Sequence, residues 1–112
     1  MELAAEEIEG GITRIVLDGR LDIAGAGAID LRFNTLAGSR RAVVVDLSRV
    51  SFLASMGIRL LLTGAKAVGS KGGKMVLLGP DPAVEKVLKT AGIDTLIPIH
   101  HDARGAIAAV KP

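Results

Sequence analysis

The sequence predicts one α/β domain, a small mixed and mostly parallel sheet with about four covering helices. Three observations carry this. Between residues 43 and 62 the apolar pattern switches from a continuous β-branched run to helical spacing across a short polar stretch. Elsewhere, strand-like and helix-like segments alternate, the arrangement that parallel strands with right-handed crossovers produce. Finally, 112 residues of which 49% are apolar suffice for a single core, and one domain over residues 1–112 is expected.

Taken in order, residues 2 to 8 read as a weak strand, and Gly10 and Gly11 as a hairpin turn. Ile12 to Leu17 is a stronger strand, so these two should pair antiparallel at a sheet edge. Asp18 and Gly19 break the run. Ala26, Ile29, Phe33 and Leu36 recur at helical spacing, although Gly25 and Gly27 each cost about 1 kcal/mol relative to alanine in a helix interior and predict a frayed first turn. Val43, Val44 and Val45 form the central strand, which should end at Asp46. From Ile58, a helix presents Ile58, Leu61, Leu62, Ala65 and Val68 inward and Arg59, Thr63, Lys66 and Ser70 outward. Met75 to Leu78 is a further strand. Asp81 and Pro82 read as N-cap and first helical residue, Val84, Val87, Leu88 and Ala91 as the apolar face, and Gly92 as the stop. Thr95 to Ile99 should be a short last strand. Asp102 caps a final helix with Ala103, Ala106, Ile107 and Val110 inward.

Composition excludes several classes of function. With Phe33 and Phe52 the only aromatic residues, the core is aliphatic and no stacking platform exists for nucleic acid. The net charge is +2 and the basic residues are scattered, so the pI near 9.3 marks no basic stripe. No apolar run approaches the roughly 20 residues that cross a bilayer, and the acidic start lacks the basic region of a signal peptide. A cytoplasmic protein without membrane insertion is expected. The absence of cysteine removes disulfides, thiolate catalysis and Cys-ligated metal. His100 and His101 are adjacent, diverge in most backbones and lack a spaced cluster to complete a metal site. GSKGGK at 69–74 is one residue short of a phosphate loop, and Met75 stands where Ser or Thr is required, so it reads as a plain turn. No metal, cofactor or catalytic set is expected, and Asp22 and Asp46 read as strand-ending residues.

The stretch VVVDLSRVSFLASMG, residues 43 to 57, resembles the signature of STAS domains, above all the bacterial anti-sigma factor antagonists. Those read as an apolar strand, D-L-S, a short linker, then D-S-S-G and a helix. The resemblance runs from about residue 12 to 110. GRLD, residues 19 to 22, matches a second family motif with Asp22 as its acidic member. Two positions depart: Ala54 stands in place of the usual aspartate and Met56 in place of the second serine.

The resemblance implies that Ser55 is the phosphorylated serine, and that Asp22, Ser55, Met56, Gly57 and Arg59 share a docking surface. The partner would be an anti-sigma factor that is also a serine kinase, whose sequestration releases a sigma factor. The protein itself would be no enzyme. The alternative that Ala54 and Met56 keep open is a STAS-type accessory subunit of a membrane lipid ABC transporter. From the residues alone, Ser55 also reads as a helix N-cap that needs no other role. Both readings are compatible, because a phosphate is favoured at a helix N-terminus. Ser48 and Ser51 lie in the same stretch, further from the helix start.

Overall fold

The computed structural model describes residues 1–112. Strand β1 (Glu2–Ile8) and strand β2 (Ile12–Leu21) form the expected antiparallel hairpin around a turn at Glu9–Gly11. Helix α1 (Ile23–Ser39), strand β3 (Ala42–Leu53), helix α2 (Ser55–Gly69), strand β4 (Lys74–Leu78), helix α3 (Pro82–Thr90), strand β5 (Ile99–His100) and helix α4 (Ala103–Val110) follow. The five strands lie in the order β1-β2-β3-β4-β5. From β2 onward the pairs are parallel, as alternation with helices demands.

The sheet alternates its side chains between two apolar layers. Ile15, Leu17, Val43, Val45, Leu47 and Leu77 meet Phe33, Leu61, Val68 and Leu88 from α1, α2 and α3 in the main core. The reverse face carries Ile12, Val44, Val76 and Leu78, against which Ala106 and Val110 of α4 pack. The helix starts follow capping chemistry: the carboxylates of Asp22, Asp81 and Asp102 accept from the N–H groups of Gly25, Val84 and Gly105.

Three strand boundaries and one helix face differ from expectation, beginning with β2, which is not broken at Asp18 and Gly19 but runs on to Leu21. Strand β3 does not stop at Asp46 but runs to Leu53. Asp46 remains within it, only 3% exposed, because Arg14 of β2 donates to its carboxylate and Ser48 donates to the other oxygen through both its N–H and hydroxyl. The register between β2 and β3 shifts between Val16 and Asp18 and again between Gly19 and Arg20, so the pairing of this polar extension is irregular. The last strand is only Ile99–His100, since Ile93–Thr95 forms a 3-10 turn. Lastly, Leu60 is buried while Leu62 is half-buried: α2 faces α1 as well as the sheet, which rotates its buried stripe.

Candidate functional site

The carboxyl ends of β2 and β3 lie side by side, pairing Arg20 with Phe52 and Leu21 with Leu53, and each strand feeds a helix. The N–H of Ala54 donates to the Leu21 carbonyl at 3.1 Å, so Asp22 and Ser55 follow on from two residues that are bonded to each other. Asp22 caps α1 and also receives Arg20 Nε at 3.3 Å. The Gly25 N–H above all, against the opposing effect of burial and with help from Arg20, holds its carboxyl below the usual aspartate range.

Helix α2 begins differently. Ala54, not Ser55, occupies the N-cap position, and no side chain caps the helix. Ser55 is the first helical residue, so the expectation that its hydroxyl is the cap is corrected. An extended Ala54 leads directly into the helix, leaving the Ser55 hydroxyl one position too far along to fold back. Ser55 is exposed and its hydroxyl makes no hydrogen bond within the chain. The other two serines of the stretch are engaged: Ser48 Oγ donates to Asp46 at 2.6 Å, and Ser51 Oγ donates to the Gly19 carbonyl at 3.4 Å. Both lie within β3, not in a loop.

Gly57 is buried, and a Cβ there would stand 2.6 Å from the Leu21 carbonyl oxygen and 2.8 Å from Leu53 Cδ1. Its missing Cβ therefore lets the first turn of α2 seat on the strand ends, beneath Ser55. Met56 and Arg59 are exposed on either side of it. The structure thus brings together Asp22, Ser55, Met56 and Arg59 at one corner, with Gly57 beneath.

Sequence reasoning missed three residues here. Ile23 is 75% exposed and Phe52 40% exposed, and the Arg20 guanidinium lies 4.2 Å above the Phe52 ring. Phe52 could have been found only by carrying the central strand past Asp46, where it lies next to the buried Leu53 and turns to the other face. The remaining candidates lie elsewhere. Asp46 sits with Arg14 on the reverse face of the sheet. His101 contacts Glu85 at 2.7 Å, a bond that, with Lys89, holds the Glu85 carboxyl below its usual range. In the 69–74 turn, Lys71 donates to the carbonyls of Ala37 and Ala67, tying the C-terminal ends of α1 and α2.

An α/β domain displaying a free serine where its central strand feeds a helix belongs to a recognisable class. The chain is a member of the STAS domain family, whose model matches residues 4–106. Over 99% of its length, and 96% of the relative's, it is 31% identical to a Bordetella bronchiseptica protein named as an anti-sigma factor antagonist, BtrV. Among solved structures, an anti-sigma factor antagonist from Mycobacterium paratuberculosis is 26% identical, with a TM-score of 0.88 over 99% of this chain and 94% of that one. The anti-sigma factor antagonist SpoIIAA, in its unphosphorylated form, is 25% identical with a TM-score of 0.71, covering 96% of each chain. No helix is long and apolar enough to cross a membrane.

Proposed function

We propose that the protein is an anti-sigma factor antagonist which binds an anti-sigma factor with serine-kinase activity, and that phosphorylation of Ser55 ends this binding. The observation that carries the reading is the Ser55 hydroxyl, exposed and unbonded while Ser48 and Ser51 are both engaged. Kinases need the acceptor oxygen free to attack, and this is the one serine of the stretch whose oxygen gives up nothing on being modified. The naming of relatives as anti-sigma factor antagonists supports the class of partner, and SpoIIAA, distinguished as unphosphorylated, supports a phosphate as the signal.

Asp22, Met56 and Arg59, together with Ile23 and Phe52, surround that hydroxyl as the docking surface. A phosphate adds about −1.5 to −2 charges there. Within the domain it meets the free N–H groups and the positive end of α2, which has no carboxylate of its own to repel it. Modification therefore leaves the fold intact and acts at the interface.

Incubation with the kinase-type anti-sigma factor of the same organism and ATP, followed by mass spectrometry, should place one phosphate on Ser55. Phosphate on Ser48 or Ser51 contradicts the switch. Binding to the nucleotide-binding subunit of a lipid transporter, with none to the anti-sigma factor, would move the protein to the transporter reading that Ala54 and Met56 favour.

A further inference from the structure

Helices α1 and α2 leave neighbouring parallel strands and run side by side, yet the seam between them is closed at only one end. Toward their C-termini, the Phe33 ring fills the space over Gly64, where a Cβ would come within 2.5 Å of Cε2, and Lys71 bonds to both helices. Toward the N-termini the seam opens into a groove of about 400 Å³. Ile23, Gly27 and Asp30 form one wall, Met56, Arg59 and Thr63 the other. Each set follows helical spacing over two turns, so the walls run parallel for about 10 Å. We propose that this groove receives one amphipathic helix of the anti-sigma factor, with an acidic residue of that helix facing Arg59 and a basic residue facing Asp30.

The proposal rests on the functional reading above and adds to it where and how the partner is held. Ile23 and Met56 keep 75% and 38% of their surface in water, an apolar expanse that burial under a partner would stabilise. The charges argue for the kind of partner. Arg14, Arg20, Arg40 and Arg49 each pair with a carboxylate within 4 Å, and of the arginines without such a pair, Arg32, Arg41, Arg59 and Arg104, Arg59 alone lines the groove, together with Asp30. Asp30 accepts only from Asn34. One unpaired charge of each sign over an apolar floor matches a helix with an apolar ridge flanked by the opposite charges, and fixes its direction. The groove walls are helices and expose no strand edge, so recognition falls to side chains and not to strand addition. Met56 adjoins Ser55, so a helix seated here ends against the hydroxyl, where a phosphate would meet it.

Gly27 makes the test clean. A Cβ at that position meets nothing within 4 Å, and replacing a glycine in a helix interior favours the helix. Gly27→Gln should therefore fill the groove while leaving the melting temperature equal or higher. Calorimetric titration with the purified kinase-type anti-sigma factor of the same organism should show binding weakened by about tenfold or more. Arg59→Glu should slow association and change its salt dependence. Wild-type affinity in Gly27→Gln overturns the groove, and if Ser55 phosphorylation still releases that variant, the functional reading survives alone. No binding by the unmodified wild-type protein contradicts the functional reading itself and the groove with it. A dimer of the free protein that Gly27→Gln dissociates would assign the groove to a second copy of this chain and reject the proposal.

Discussion

Ser55 is separated from Ser48 and Ser51 by what its oxygen touches, which is nothing, and the reason lies one residue earlier. Ala54 holds the N-cap position with an extended backbone, φ −125° and ψ 179°, and has no oxygen to offer the first free N–H groups of α2. A side-chain acceptor at an N-cap stabilises by about 0.5–2 kcal/mol. Ala54→Asp should accordingly raise the urea midpoint by an amount equivalent to about 1 kcal/mol. An unchanged or lowered midpoint would mean that α2 does not begin where the structure starts it. The added carboxylate would also stand beside the position of a phosphate on Ser55 and weaken its welcome at the helix end. The sequence read the serine as the cap because Ser is a preferred cap residue and Ala is not. Which of two neighbouring residues turns extended is decided by the Ala54 N–H bond to Leu21, a partner 33 positions away by sequence number.

At the level of elements, the pair α1–α2 is the rigid part that carries the site. Its tightest point is Gly64 against Phe33, which is fully buried. Gly64→Ala should cost about 1–3 kcal/mol through overpacking despite the better helix propensity of alanine. Denaturant titration checks the sign: a stabilised variant would show that the helices can separate freely. Helical periodicity found these helices and most of their inward residues, because one buried stripe per helix is what such a pattern encodes. It could not show that α2 buries a second side against α1, which makes Leu60 interior and leaves Leu62 at the margin. Nor could it carry β3 past Asp46. A charged residue ends an apolar run in sequence, but here Arg14 and Ser48 satisfy the carboxylate in place. The hairpin and the capped helix α3 were legible because each rests on local turn or capping chemistry, and the parallel order because strands that alternate with helices need crossover connections.

Across the whole molecule, the acid sensitivity of the fold should trace to Asp46. Burial pushes its carboxyl up, but the hydrogen bonds from Arg14 and Ser48 together outweigh that and hold it below its ordinary 3.8. A carboxyl depressed in the folded state contributes stability that is complete above the unfolded value and is lost as pH falls through the lower folded value. Asp46→Asn should thus start less stable at neutral pH by about 1.5–3 kcal/mol, the loss of a charge-assisted hydrogen bond. Its urea midpoint should then fall less steeply than wild type between about pH 5 and about pH 3. Parallel pH profiles would show that the pair does not govern acid unfolding. This ionic register on the reverse face lies apart from the Ser55 corner, so the variant should still bind the partner. On the proposed reading Ser55 is a charge switch on an interface. The most direct measurement of that switch is the affinity of the anti-sigma factor for the unmodified protein and for protein carrying stoichiometric phosphate on Ser55. Burying that charge across an interface shaped for a hydroxyl costs about 2–5 kcal/mol. The dissociation constant should rise by roughly 30-fold to several thousand-fold, with the melting temperature of the free domain undiminished. Equal affinities for the two forms would contradict the account.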